Sequence, residues 1–242
     1  VTLHLNAKIA GVGRSMRGVL MTLEDGTEIA GSHVLFATGR APNTDKLNLA
    51  AVGLETDSRG YVPTDAKLRT KVPNLWALGD VNRRGAFTHT SYHDHEIVLA
   101  DLDGVKDLYQ WKDADQRPTT YAMFTDPPLG RVGLSRTEAR KLAAEGRNIL
   151  IADMRVADIS RAKEESETTG LIRIIVDGDS EAILGATVFG IAGDEIIAIF
   201  SNFMATGASY KIMQQALPVH PTVAELIPTI LAGLKPLAAA NA

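Results

Sequence analysis

The chain has 242 residues, of which 45% are hydrophobic and 22% charged, and its formal net charge is −4. These values are typical of a globular protein with one large domain or two modest ones. Lysine and arginine are not concentrated in any segment, which argues against a nucleic-acid partner, and no apolar run reaches the ~20 residues of a membrane span. The absence of cysteine excludes a disulfide framework and a cysteine nucleophile within the chain. No ligand spacing such as HExxH occurs, so no metal site is expected.

The first forty residues predict strands and turns without a helix to cover them. Val1–Ile9 roughly alternates apolar and polar residues, and Val19–Leu23 leads into an Asp-Gly hairpin turn at Asp25-Gly26. Val34–Ala37 is a short apolar run typical of a buried strand. Because such a segment makes a poor independent domain, we interpret it as the end of a larger one.

Gly11-Val12-Gly13 begins like the glycine-rich turn that binds dinucleotides. The position of the third glycine is occupied by Met16, and the residues that follow are typical of a strand and not of a helix. The fingerprint requires a strand, a turn and then a helix. We therefore interpret these glycines as part of a loop between strands.

The middle of the chain, from Thr38 to about Asp113, mixes turns with short apolar runs. Ser91–Leu102 has the length and apolar spacing of a helix. The polar, charged stretch Lys106–Pro118 is interpreted as a linker.

The second unit begins near Pro118 and predicts an α+β domain. Ser135 and Glu138 form a capping box that opens a helix over Thr137–Glu145. The remaining predicted elements are strands over Ile149–Val156, Leu171–Val176 and Ile183–Phe189, a helix over Asp194–Thr206, and a final helix from Pro221 past Leu231.

Two short apolar runs end in residues suited to a ligand. The first ends in Thr38-Gly39, where glycine allows a ligand or a backbone to approach closely. The second, Leu75–Leu78, predicts a short strand with Gly79 as a tight exit and Asp80 at its carboxyl end. A carboxylate there can accept hydrogen bonds from sugar or ribitol hydroxyls, and open α/β folds bind ligands at strand ends. Taken alone, each motif is better explained by an ordinary turn.

The segment His220-Pro-Thr-Val-Ala-Glu225 combines a histidine with a glutamate five residues later. Pro221 suits the first turn of a helix, so His220 is expected at the helix start, with Glu225 about one turn inside. A carboxylate bound to one imidazole nitrogen orients the ring for general acid–base catalysis. The alternative for an isolated motif is a capping histidine and a solvent-facing glutamate.

Together these motifs resemble the class I pyridine nucleotide–disulfide oxidoreductases, the family of dihydrolipoamide dehydrogenase, glutathione reductase and mercuric reductase. The resemblance extends over essentially the whole chain. Its segments are Ala37–Asn43, Thr70–Asp80, Phe124–Gly133, the Gly185, Gly193 and Glu195 positions, and His220–Glu225.

This resemblance implies an α/β FAD/NAD(P)-binding fold remnant followed by an α+β dimerisation domain. Residues 1–40 would end the NAD(P)H-binding domain, residues 41–115 would complete the FAD-binding domain, and residues 118–242 would form the dimerisation domain. It also implies a cytoplasmic homodimer that uses FAD and NAD(P)H to reduce a small-molecule disulfide or another electron acceptor.

The resemblance also assigns roles to residues. His220 would reach the active site of the other subunit and exchange a proton with a thiol, and Glu225 would orient it. Asp80 would contact FAD, and the stretch after it would run under the flavin. The full set implied for cofactor binding is Thr38, Gly39, Gly79, Asp80, Phe87, Thr88 and His89.

The dimer would form through residues 118–242, chiefly through the helices over Asp194–Thr206 and Pro221–Leu234. Ile227, Ile230 and Leu231 are expected to supply an apolar face for the second copy.

The chain departs from the family pattern in three respects. The FAD-binding GxGxxG and the CxxxxC redox pair are not in it, so by itself it is expected to be inactive. Ala86–Asp94 differs from the LAHxA pattern of dihydrolipoamide enzymes and is closer to the mercuric-reductase-like branch. The C-terminus lacks a cysteine pair, which disfavours mercury as a substrate.

Two other functions stay open at this point. One is a dimerisation module without catalysis, against which the intact pair of His220 and Glu225 argues. The other is a related flavoenzyme with an acceptor that is not a disulfide.

Overall fold

The computed structural model describes residues 1–16, 18–104 and 113–238, in two compact units, Val1–Pro42 and Asn43–Ala242. Most of the predicted linker Lys106–Pro118 therefore lies outside the described residues. Among the described residues, no helix is both long and apolar enough to cross a membrane.

The N-terminal unit, Val1–Pro42, contains a three-stranded antiparallel sheet in the order β1-β2-β3. The predicted Asp-Gly turn joins β2 to β3, and Asp25 accepts a hydrogen bond from the Thr27 amide at 2.9 Å. The bounds of the strands are β1 Ile9–Ser15, β2 Gly18–Leu23 and β3 Glu28–Gly31.

Three predictions for this unit need correction. The first strand begins at Ile9 and does not cover Val1–Ile9. Gly11-Val12-Gly13 lies inside β1 and not in a loop, although a nucleotide-binding turn is excluded in both cases. Val34–Ala37 forms no strand, and Leu35 and Phe36 are exposed. The reason is that an apolar run becomes a buried strand only beside a pairing strand, and none pairs with it among the described residues of this unit.

The described residues of the C-terminal unit up to Arg117 form turns, two short 3₁₀ segments and one α-helix. A 3₁₀ turn over Gly79–Asn82 precedes helix α1, Thr88–Leu102, which confirms the helix predicted over Ser91–Leu102. The predicted strand Leu75–Leu78 is reduced to a single bridge between Arg69 and Trp76. Small apolar clusters support this region: Leu54, Val62 and Ala77 in one, Leu68, Ile97 and Val98 in the other.

A six-stranded sheet follows, in the order β4-β5-β8-β7-β6-β9, and every neighbouring pair is antiparallel. The three predicted strands are its centre, while β4, β5 and β9 were not predicted. The bounds are β4 Thr120–Met123, β5 Leu129–Gly133, β6 Ile149–Arg155, β7 Leu171–Asp177, β8 Ile183–Phe189 and β9 Lys235–Pro236.

Helices α2 to α6 accompany this sheet. The capping box at Ser135 and Glu138 opens α2 as predicted, and α4 ends at Gly207 in the left-handed conformation, as a glycine stop requires. The fully buried Phe200 of α4 is central to the main core. The bounds are α2 Arg136–Ala144, α3 Ser160–Glu164, α4 Gly193–Thr206, α5 Tyr210–Gln214 and α6 Ile227–Ala232.

The final helix is shorter than predicted. Pro221 follows a cis peptide bond to His220 and lies outside the helix, so it is not a first-turn proline. A 3₁₀ turn over Ala224–Leu226 leads into α6, which ends at Ala232. The difference arises because a proline suits both a helix start and a turn, and local sequence does not distinguish them.

The contact between β5 and α4 generates a prediction about stability. A Cβ added at Gly130 would meet the carbonyl oxygen of Gly193 and lie 2.7 Å from the Cβ of Ile197. Gly130→Ala is therefore expected to lower the free energy of unfolding by about 1–3 kcal/mol, the usual effect of overpacking. Urea unfolding of the chain measures this.

The matched control is Gly13→Ala, since no atom lies within 4 Å of the Cβ position of Gly13. Equal effects of the two substitutions would contradict the close approach of α4 to β5.

Candidate functional site

The centre of the first candidate site is the buried carboxylate of Asp94 on α1, which has no solvent exposure. Its Oδ2 accepts hydrogen bonds from the Gly79 amide and from Asn82 Nδ2, each at 2.8 Å. Its Oδ1 accepts one from Arg117 Nη1 at 2.7 Å. Asp94 thus joins the 3₁₀ turn that carries Asp80 to helix α1 and to the start of the following segment.

Arg117 lies in the stretch interpreted from the sequence as a linker, and that interpretation is wrong for its described end. The Arg117 side chain is 11% exposed, and its guanidinium donates to the carbonyl oxygens of Thr90 and Arg84, at 3.2 and 3.0 Å, besides Asp94. Nearby, Asp115 forms an ion pair with Arg84. A segment held by buried charge-assisted hydrogen bonds is part of the folded body.

The start of α1 carries three of the predicted cofactor-binding residues, Phe87, Thr88 and His89, all of them exposed. Phe87 occupies the position before the helix and offers no capping side chain. The first amides of a helix lack intrahelical partners, so this helix start can donate hydrogen bonds to a polar ligand.

Aromatic stacking orders the same helix start. The ring of Phe87 stacks on His89 at 5.2 Å and on Tyr121 of β4 at 6.0 Å between centroids. His89 Nε2 also lies 2.8 Å from the carbonyl oxygen of Thr120. The stack therefore links the start of α1 to the edge of the large sheet.

A cleft of about 470 Å³ opens beside this helix start. Phe87, His89, His93, Arg117 and Ser201 are among the residues that line it. It brings side chains of α1 and α4 around one concave surface, which is the usual shape of a ligand site.

His93 lines this cleft, and its surroundings change its pKa. Burial lowers the pKa of His93 below its ordinary value, and the charge of Arg117 lowers it further. Arg117 Nη1 lies 3.3 Å from Nδ1 of the ring, where it can donate a hydrogen bond to the neutral imidazole. The folded protein therefore favours the neutral form of His93.

The second candidate site is the pair of His220 and Glu225. Nδ1 of His220 lies 2.8 Å from Oε2 of Glu225, which also accepts a hydrogen bond from the Thr222 amide at 3.3 Å. The imidazole side chain is 79% exposed, whereas the carboxylate side chain is 11% exposed. The structure thus presents an outward-facing imidazole that a largely buried carboxylate orients through one nitrogen.

The apolar residues around this pair explain how Glu225 is held. Val223, Ile227, Ile230 and Leu231 are buried in the main core of the chain itself. The prediction that Ile227, Ile230 and Leu231 offer a face to a second copy is therefore wrong. The helical stripe is the same in both cases, but α5 and strand β6 of this chain already cover it.

Two sequence models of known families match the chain. The model of the pyridine nucleotide-disulphide oxidoreductases matches residues 1–94, and the model of their dimerisation domain matches residues 119–230. The chain belongs to the pyridine nucleotide-disulphide oxidoreductase family. Its fold is the expected α/β segment followed by the α+β dimerisation domain.

Individual relatives agree with this assignment. The probable pyridine nucleotide-disulfide oxidoreductase RclA of Escherichia coli is 31% identical over 93% of this chain and 49% of its own length. The dihydrolipoyl dehydrogenase of Bacillus subtilis is 30% identical over 93% of this chain and 47% of its own. The chain therefore spans about half the length of the curated relatives it matches.

Structural comparison gives the same family. The structure of the HOCl-induced flavoprotein disulfide reductase RclA from E. coli matches with a TM-score of 0.82 and 30% identity. The match covers 94% of this chain and 51% of RclA.

The remaining residues predicted to bind a cofactor are Thr38 and Gly39, which lie in the N-terminal unit, Val1–Pro42. All the other predicted site residues lie in the C-terminal unit. Gly39 has a φ of 100°, a conformation that favours glycine, and no atom lies within 4 Å of its Cβ position. The close approach of a backbone within this unit therefore does not explain Gly39.

Sequence reasoning missed Asp94, Arg117 and Tyr121. For Asp94 a signal existed, because it shares one helical face with Thr90, Ile97 and Val98, all buried. A carboxylate on such a face requires buried donors. No comparable local signal identifies Arg117 or Tyr121.

The lowered pKa of His93 generates a pH prediction. Below its ordinary pKa of 6.5, the unfolded chain takes up a proton that the folded chain resists, so this contribution to stability decreases as the pH falls. His93→Gln should therefore reduce the loss of unfolding free energy between pH 7.5 and 5.5, because glutamine does not take up a proton in either state. Urea unfolding at both pH values measures it.

The control is His95→Gln on the same helix, where the ring contacts the Tyr92 carbonyl instead. If the wild-type chain and the His93→Gln variant lose the same stability, the neutral form of His93 is not favoured by folding.

Proposed function

We propose that the chain is the C-terminal half of a FAD-dependent NAD(P)H oxidoreductase of the disulfide reductase type. In this proposal residues 1–40 end the NAD(P)H domain, residues 41–115 complete the FAD domain, and residues 118–242 form the dimer interface. The observation that carries it is the 2.8 Å contact between Nδ1 of the exposed His220 and the largely buried Glu225.

The pair suits proton transfer to a sulfur atom. Glu225 engages Nδ1, which leaves Nε2 of His220 as the nitrogen that exchanges a proton. In one direction Nε2 removes the proton of a thiol, and in the other it returns a proton to the thiolate released from a disulfide. Since the imidazole is exposed, the sulfur would come from outside this chain's own core.

The described residues also fit FAD, which would carry electrons from NAD(P)H to the acceptor. Asp80 is an exposed carboxylate that can accept hydrogen bonds from ribityl hydroxyls. The amides at the start of α1, around Thr88 and His89, can donate to a carbonyl group of the ligand. Thr38, Gly39, Gly79 and Phe87 complete the proposed contact set.

A homodimer is the proposed state of assembly. Leu217 and Val219, immediately before His220, are 97% and 73% exposed, and Ile199 and Ile212 are also exposed. Exposed apolar side chains of this size favour coverage by another protein surface. A second copy that covers them would bring its own active site to His220.

The proposal is tested first at the gene and then in the protein. The DNA upstream of the Val1 codon should encode, in frame, a GxGxxG segment and a CxxxxC pair, and the resulting protein should be yellow and oxidise NAD(P)H. An upstream stop codon would support a dimerisation module without catalysis. A flavin domain without the cysteine pair would support an acceptor other than a disulfide.

The acid–base role generates a kinetic prediction for that complete flavoprotein. His220→Ala should lower kcat with a disulfide acceptor by about 10²–10⁴-fold, the usual contribution of general acid–base catalysis. Glu225→Gln should cause a smaller loss, since the imidazole remains but its orientation is weakened. Steady-state kinetics measures both.

His4→Ala, which changes an exposed histidine of the N-terminal unit, is the control and should leave kcat unchanged. Full activity of His220→Ala would exclude the proposed proton transfer.

The dimer generates a separate prediction for the 242-residue chain. Leu217→Asp/Val219→Asp should shift the chain from dimer to monomer at micromolar concentration, because charges at a buried interface lose their hydration. Sedimentation velocity measures the change, with Leu47→Asp, also at an exposed apolar residue, as the control. A wild-type monomer, or a double variant that dimerises normally, would argue against this interface.

A further inference from the structure

We propose that Asp94 is a positioning residue that holds the Asp80-bearing turn and the start of α1 in one geometry for the cofactor, with Arg117 as its ionic partner. This inference rests on the proposed function, because it takes the ligand of Asp80 to be FAD. It adds a residue that neither contacts the proposed acid–base pair nor faces the solvent.

The turn over Gly79–Asn82 is bound at both ends by Asp94 Oδ2. Gly79 precedes Asp80, and its amide donates to Asp94 Oδ2 at 2.8 Å. Asn82, at the other end of the turn, uses Nδ2 to donate to the same oxygen and to the Ala77 carbonyl, at 2.8 and 3.0 Å. One carboxylate oxygen thus holds both ends of the turn that presents Asp80.

Oδ1, the other carboxylate oxygen of Asp94, has a donor of its own. Oδ1 accepts from Arg117, which also binds the Thr90 carbonyl in the first turn of α1 and the Arg84 carbonyl in the connecting loop. Hydrogen bonds to Asp94 and Arg117 therefore hold the stretch from the turn to the helix start. The exposed residues Phe87 and His89 lie within this stretch.

The acceptor capacity and the charge of the side chain explain why this residue is an aspartate. An ionised carboxylate is an acceptor at both oxygens, and here three donors point at it. Asparagine has one acceptor oxygen, so its amide group would oppose either Arg117 or the donors of Gly79 and Asn82. The charge also offsets the buried guanidinium, which would otherwise be left unpaired.

Asp101 on the same helix supplies a matched control. Its side chain is 6% exposed and binds Arg69 and Trp76, away from the Asp80 turn. Asp94→Asn and Asp101→Asn each remove the charge of an ion-paired aspartate from one helix, but only the first removes an acceptor of the turn.

The first readout uses the 242-residue chain and no cofactor. In Asp94→Asn, hydrogen exchange at the Gly79 amide should accelerate by at least about tenfold, while Asp101→Asn should leave it unchanged within about twofold. Unchanged protection of Gly79 in Asp94→Asn would overturn the proposal.

The second readout is the dissociation constant of FAD from the complete flavoprotein. It should rise by about tenfold or more in Asp94→Asn and by less than about twofold in Asp101→Asn. If Asp94→Asn does not fold, the double variant Asp94→Asn/Arg117→Gln is measured instead, because it leaves no unpaired buried charge. The same rise in the dissociation constant of FAD is expected.

Asp80→Ala separates the inference from the proposed function. If FAD binds Asp80→Ala normally, the proposed FAD contact of Asp80 is wrong, and the positioning role falls with it. If Asp80→Ala weakens binding but the Asp94 variants do not, the proposed function stands and the inference alone is overturned.

Discussion

A buried carboxylate must be surrounded by donors, and in this chain that requirement falls on Asp94. Its donors come from the turn over Gly79–Asn82 and from Arg117, which are far apart in sequence. Because Asp94 binds these donors, the turn, helix α1 and the segment that leads into the large sheet are held together. Among the described residues before the sheet, the apolar clusters are small, and this buried polar contact adds to the interactions that hold the region together.

In the pair of His220 and Glu225, the carboxylate is largely buried while the imidazole stays accessible. The glutamate follows Val223 and precedes Ile227, both of which are buried in the main core, so its carboxylate is held by a rigid support. The imidazole lies on the exposed side of that support. An oriented but accessible imidazole can exchange a proton with a group that reaches it from outside the core.

Prediction from sequence succeeded where one local signal was sufficient. The strands β6, β7 and β8 and the helix α4 have regular apolar patterns, α4 stops at Gly207, and α2 begins at the capping box of Ser135. It failed where pairing decided the outcome. Val34–Ala37 has the composition of a buried strand but no pairing strand among the described residues of its unit. The glycines of β5 are typical of a loop, yet Gly130 lies in a strand and leaves the space in which α4 packs against it.

The sequence by itself determined the family and the order of its motifs, and it singled out His220, Glu225 and Asp80 as candidate site residues, because these depend on residue type and spacing along the chain. Only the tertiary structure decided which apolar residues are covered and which stay exposed. Ile227 and Leu231 turn inward while Leu217 and Val219 remain outside, although all four are apolar. It also decided that Arg117 pairs with Asp94. Burial and long-range ion pairs depend on what the folded chain brings alongside each residue, and local sequence does not carry that information.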